Sequence, residues 1–181
     1  MSQDEQLRNQ LREVYNLYRT VRLNCKYYGH RLELYKKINL ALECTLAITT
    51  SSTIGAWAMW KTGPGVYVWA IIAGVSAILA VMKPILHLPK EIERYSKLWA
   101  GYNSLNYDLQ HIVSQISVVH TFTEEMEKLL LDAHKRTREL VPSDDPKPTR
   151  KLALKYHHEV NKEIPPETLW MPLKIPKLKT L

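Results

Sequence analysis

The chain has 181 residues, with 25 Lys and Arg against 18 Asp and Glu, a net charge of +7 and only two cysteines. A pI of about 9.3 and a mean hydropathy of −0.27 require any apolar stretches to be offset by a polar, basic remainder. A length of this order accommodates one membrane module and one small polar module, and Cys25 and Cys44 are too few for a disulfide framework or a cysteine metal site.

Residues 1–37 read as an N-terminal cytoplasmic stalk helix. Leu7, Val14, Val21, Tyr28 and Tyr35 recur every seven residues, interleaved with Leu11, Tyr18, Cys25 and Leu32. This 3-4 alternation predicts a coiled-coil seam. No proline precedes Pro64, and Gly29 is the one weak point. A helix from Gln3 to Trp60 would extend roughly 85 Å at ~1.5 Å per residue.

Two apolar runs follow, predicted as transmembrane helices over 38–60 and 66–82. Ile38–Trp60 and Val66–Met82 are separated by Lys61-Thr62-Gly63-Pro64-Gly65, and no charge lies between Glu43 and Lys61 or between Lys61 and Lys83. A spanning helix needs about 20 apolar residues, with about 17 as the lower limit. The Gly-Pro-Gly link cannot continue a helix, so the pair reads as a hairpin. Trp57, Trp60, Tyr67 and Trp69 cluster at its tip, where an interfacial aromatic belt belongs. The alternative is a buried helical hairpin. Arg31, Lys36 and Lys37 precede the first run, Lys83, Lys90, Arg94 and Lys97 follow the second, and the link holds Lys61 alone. The positive-inside bias then puts both termini in the cytoplasm. The first run starts too deep for a signal peptide.

Within the first run Glu43 is the ionisable residue, followed by Thr45, Thr49, Thr50, Ser51, Ser52 and Thr53. Ionisable groups inside spans tend to face a bundle interior or a wet cavity. Glu43, Thr50 and Thr53 are the candidate pore lining, and a ring of Glu43 carboxylates would favour cations. The competing readings are a snorkelling Glu43 and hydroxyls bonded to their own backbone. In the second run Ala70, Ala73, Gly74, Ala77 and Ala80 form a small-residue stripe suited to helix packing.

Residues 84–140 are predicted as cytoplasmic helices. Tyr95, Tyr102, Leu109 and Ile116 recur every seven residues, as do Leu98, Leu105, Ile112 and Val119, so this arm should pack antiparallel on the first. Asp108 is its one formal charge between Lys97 and Glu124. A solvated stalk helix is normally charged on its outer face. The expectation is therefore enclosure by further copies of the chain, with a tetramer expected because a charge-poor arm suits a closed central bundle. Thr121-Phe122-Thr123-Glu124 resembles a capping box opening a helix to about Leu140. Residues 141–181 form a basic, Pro-rich segment: a linker over Val141–Thr149, a short helix over Arg150–Lys162, and a tail broken by Pro165, Pro166, Pro172 and Pro176.

Three basic clusters are candidate polyanion contacts. They are Arg8, Arg12, Arg19, Arg22 and Lys26; Lys135, Arg136 and Arg138; and Lys147, Arg150, Lys151 and Lys155, with Tyr156, His157 or Trp170 available to stack on a base. A solvated face with helix-end dipole compensation is the competing reading, and the spacing does not choose among nucleotide, oligonucleotide and lipid headgroup. Adjacent His157 and His158 point to different helix faces, His111 and His120 share no turn, and no phosphate loop or nucleophile elbow is present. Neither an enzyme nor a cofactor or metal site is expected.

The predicted fold class is thus all-α: a membrane protein with a two-helix hairpin extended by long coiled-coil-like cytoplasmic helices in an oligomeric bundle. Over Leu11–Tyr35, Ile38–Met82 and Tyr95–Val119 this layout resembles the SLATT-type two-span effectors of bacterial conflict systems, with the Hailong-type membrane effector as the nearest variant. The resemblance implies an oligomeric pore in the bacterial inner membrane that serves anti-phage defence. A nucleotide or oligonucleotide made by a partner nucleotidyltransferase would gate it, and opening would depolarise and arrest or kill the cell. A non-conducting scaffold that recruits a partner through basic helices, and an unregulated holin-like toxin, are the alternatives.

Overall fold

The computed structural model describes residues 3–59, 65–166 and 169–172, and all regular structure among them is helical. Helix α1 is Gln3–Met59, α2 Gly65–Ile85, α3 Leu88–Val119, α4 Glu124–Leu140 and α5 Arg150–Glu163, with a 3-10 turn over Val141–Ser143. The chain divides into two compact units, one of Met1–Gly29 with Lys97–Leu181 and the other His30–Ser96.

The first unit is built on the heptad seam. Leu11, Val14, Val21, Cys25 and Tyr28 of α1 are buried, and Leu98, Tyr102, Leu105, Leu109, Ile112 and Ile116 of α3 are sealed from solvent. Tyr28 stacks on Tyr102 with ring centroids 5.5 Å apart, and Cys25 Sγ lies 3.5 Å from Asn103 Oδ1, so the two helices run antiparallel. Each fully buried leucine is worth about 1.5–3 kcal/mol of transfer free energy, which makes this stripe the main source of cohesion. Gly29 has a structural reason: a Cβ there would sit 3.1 Å from the Trp99 indole.

The seam ends one position before the periodicity does. Val119 is 54 % exposed, because α3 stops there and His120 turns the chain at φ 54°. The helix after it is capped by Thr123, whose hydroxyl accepts from the Met126 amide at 3.3 Å. Glu124 is therefore its first residue, and the reciprocal carboxylate of a capping box is not formed by it. Helix α4 buries Met126, Leu130 and Ala133. It reaches α3 through Arg136, which donates to Asp108 at 2.6 Å and Ser104 at 2.8 Å, and α1 through His134 and Glu13 at 2.9 Å. Gly101 admits Leu140, which a Cβ there would meet at 2.7 Å. Part of the cover that the charge-poor α3 requires thus comes from α4 of the same chain.

In the second unit α1 and α2 meet at one ion pair, with Lys83 Nζ 3.6 Å from Glu43 Oε1. Tyr35 and Tyr95 meet at 5.1 Å, and the Arg31 and Arg94 guanidinium groups lie over the Tyr95 ring at 5.3 and 4.6 Å. Among the described residues no helix is long and apolar enough to cross a membrane. The side chains of Gln3, residues 48–59, Val66, Val68, Trp69, Ile72 and Pro84 are outside the described residues, as is the link over 60–64. The expected turn, Trp57, Trp60 and the Thr50 and Thr53 hydroxyls therefore lie outside them too.

Leu105→Ala is expected to cost about 2–5 kcal/mol in denaturant unfolding, and Val119→Ala less than about 0.5. Asn106 is buried with no partner for its Oδ1 among the described residues. Its replacement by Leu should raise stability by about 1–3 kcal/mol, the desolvation cost of an unmet carbonyl.

Candidate functional site

The polar features of the first unit converge on residues 141–172. Tyr27, Tyr28 and Tyr102 are all buried, so each phenol needs a partner. The linker supplies them. Tyr102 Oη donates to Asp144 Oδ2 at 2.9 Å, and Tyr27 Oη donates to Asp145 Oδ2 at 3.0 Å. In return the Asp145 amide donates to Tyr28 Oη at 3.2 Å and the Thr149 amide to Tyr27 Oη at 3.1 Å. Further along, Tyr15 Oη donates to the Trp170 carbonyl at 2.7 Å, and the Trp170 ring meets His120 at 5.0 Å.

Burial sets the ionisation of this node. It pushes the Tyr15 phenol up to about 12. It also pushes Tyr28 and Tyr102 up, and the adjacent Asp144 carboxylate adds to both. Asp144 itself is raised by burial and by Asp145, against the pull of the two phenols.

Pinned by the linker, α5 lies along the basic flank of α1. Arg22 Nε is 3.2 Å from Glu163, and Lys26 Nζ is 3.3 Å from Glu159 and also bonded to Glu163. Arg19 donates to the Asn161 carbonyl oxygen. Burial pulls Lys26 down, but the two carboxylates outweigh it and the ammonium is held above its ordinary value. Burial likewise raises Glu163, yet Lys26 and Arg22 bring it below the usual carboxylate range. Beside these pairs a groove of about 290 Å³ opens, where Asn16, Arg19, Thr20 and Leu23 of α1 face His157, Val160 and Asn161 of α5.

The structure therefore gathers Arg19, Arg22 and Lys26 with α5, and spends the charges of Arg22 and Lys26 on its carboxylates. Arg8 is half-buried and Arg12 exposed on the same helix. Arg136 is tied to Asp108, while Lys135 and Arg138 are exposed. On α5, Arg150, Lys151 and Lys155 are exposed, Lys155 lies 5.4 Å from the ring centre of Tyr156, and Tyr156 is buried against the unit, unavailable to stack on a base. Sequence reasoning did not single out Asn16, Thr20, Asn161 or the Asp144–Asp145 pair. The recurrent tyrosines were the one available signal, since buried phenols demand acceptors from somewhere.

In the second unit Glu43 accepts from Asn39 at 3.1 Å besides pairing with Lys83. Thr45 donates to the Ala41 carbonyl at 2.7 Å, the back-bonded arrangement of a helical hydroxyl. Cys25 is buried and Cys44 exposed, both as free thiols, and no group of three or more metal-ligating side chains occurs among the described residues.

Comparison of the chain with protein-family models, curated proteins and solved structures finds no match.

The raised phenols make the first unit alkali-sensitive. Above the ordinary tyrosine value of 10.0 the unfolded chain releases phenolic protons that the folded chain retains, so stability is full below that value and falls as pH rises beyond it. Thermal melts from about pH 8 to about pH 11 should show this loss. Tyr102→Phe should lose less over that interval, and at neutral pH should already be about 1–3 kcal/mol less stable because Asp144 loses one of its two phenol donors.

Proposed function

We propose that this protein is a two-span membrane channel whose polar helical bundle controls an oligomeric pore. The observation that supports it is the surface of α2. Tyr67, Ile71, Val75, Ile78 and Val81 are all exposed, together with Ala70, Ala73, Gly74 and Ala77, and Lys83 is the only charged residue between Gly65 and Ile85. A helix that is apolar on every side is stable only inside a large core or in lipid. In the single chain nothing among the described residues gives it such a core. Lipid on the outer side and further copies on the small-residue stripe satisfy it together.

The polar first run argues for a water-filled path over a simple anchor. Glu43 at the end of a hydroxyl-rich stretch is suited to a cation-selective ring, with Thr50 and Thr53 deeper in it. In this reading Lys83 neutralises Glu43 in the closed state and releases it when the hairpin rearranges. The cytoplasmic face carries both termini, and the membrane is the bacterial inner membrane. The likeness in layout to SLATT-type effectors supports a role in anti-phage defence, with a nucleotidyltransferase product as the gating signal and depolarisation as the outcome. A scaffold function draws support from a separate observation, the exposed cations Lys135, Arg138, Arg150, Lys151 and Lys155, which leave a basic surface open to a partner.

Purified protein reconstituted in liposomes should pass monovalent cations, and Glu43→Gln should lower the cation-to-anion permeability ratio by several-fold. Flux indistinguishable from protein-free liposomes would leave the scaffold reading in its place. Detergent-free lysates should yield the protein in the membrane pellet, and recovery in the supernatant would defeat both.

A further inference from the structure

From the groove between α1 and α5 we infer that the bundle holds a specific site for a small phosphomonoester, with Arg19 as its anchor. The charge pattern is the first reason. Arg22 and Lys26 are each met by carboxylates, whereas the partner of Arg19 among the described residues is the neutral amide of Asn161. A guanidinium offers five donors in a fork matched to a tetrahedral oxyanion, and one amide oxygen occupies only part of it.

The second reason is the hydrogen-bond chain across the groove. Asn161 accepts from Arg19 through its carbonyl oxygen, which directs its NH₂ to His157 Nδ1 at 3.3 Å. In the neutral ring Nδ1 then acts as acceptor and the proton resides on Nε2. His157 lines the groove from α5 and Arg19 lines it from α1, so each wall carries a group able to donate.

Size narrows the ligand from below. The space of about 290 Å³ is far more than the ~10–15 Å³ that a single water needs. That is too much room for a bare ion and at the lower edge of small-molecule pockets, roughly 300–1,000 Å³. Leu23 and Val160 give the floor an apolar portion, suited to the organic body of the ester. Binding would cross-link α1 to α5 and so bias the bundle. Only that consequence, gating, rests on the channel reading; the site stands without it.

Phenyl phosphate titrated by calorimetry into the purified full chain, in zwitterionic nanodiscs when it sediments with membranes and in plain buffer when it does not, tests the site, with inorganic phosphate as the second probe. Phenyl phosphate should bind about tenfold more tightly than inorganic phosphate. Arg19→Gln should weaken it at least about tenfold, Arg19→Lys less, and Arg22→Gln by under about twofold. His157→Ala, at an exposed position, should weaken it several-fold without changing the melt, which keeps the test intact if Arg19→Gln fails to fold. No binding, equal affinity for the two probes, or equal losses in Arg19→Gln and Arg22→Gln would overturn the inference. Flux without binding removes the site and leaves the channel; binding without flux does the reverse.

Discussion

Buried phenols govern the architecture of the first unit. A tyrosine in a helical seam contributes a large apolar ring but brings a hydroxyl that cannot remain unmet in a low-dielectric interior. Tyr28 and Tyr102 stack in the seam and Tyr27 lies beside them, so three hydroxyls emerge at one level of the bundle. The linker answers with Asp144, Asp145 and the Thr149 amide. Once those bonds are made, the helix that starts at Arg150 has one place to lie, along the flank of α1. Its Glu159 and Glu163 then fall opposite Lys26 and Arg22, and the α1–α5 groove is the space left where the match is imperfect.

The ion pairs on that flank follow from the node and do not replace it. Arg22, Glu159 and Glu163 remain more than a third exposed, and pairs of that kind are worth about 0–1 kcal/mol each. Hydrogen bonds to charged groups contribute about 1.5–3 kcal/mol each. The aspartate contacts to Tyr27 and Tyr102 therefore outweigh the surface pairs in fixing α5. The raised Asp144 shows the other side of that arrangement: burial opposes its charge even while the phenols support it.

How far this was legible in the sequence depends on the range of the interaction. The seam was legible because a seven-residue repeat is local information, and its buried members from Leu11 to Ile116 follow the pattern closely. Asp144 and Asp145 were not, because a Pro-Asp-rich stretch reads as a solvated linker until the hydroxyls it must satisfy are known to be buried. The neutralisation of Arg22 and Lys26 was hidden for the same reason, since their partners lie 141 and 133 residues away. The low charge of α3 reads as a need for cover, and α4 of the same chain supplies part of it. That share was not legible because it rests on long-range contacts, Arg136 with Asp108 and Ser104 and the space that Gly101 leaves for Leu140.

The Glu43–Lys83 pair is where the two halves of the functional reading meet. At the surface of a water-soluble helical pair, half-exposed as it is, it would contribute next to nothing. At the edge of a hydrocarbon layer the same two charges face a different alternative. Each alone at the centre of a span costs about 2.5–3.5 kcal/mol, falling toward the interface, and pairing them relieves part of both costs. A carboxylate placed among apolar residues is therefore tolerable when an ammonium on the returning helix reaches it, as Lys83 does. The uncharged length of α2 up to Lys83 and the position of Glu43 on α1 are then one constraint, because the α1–α2 contact brings together the charges that end each apolar face. Any rearrangement that separates them exposes a carboxylate that must find water or a cation, which is the property a gate requires.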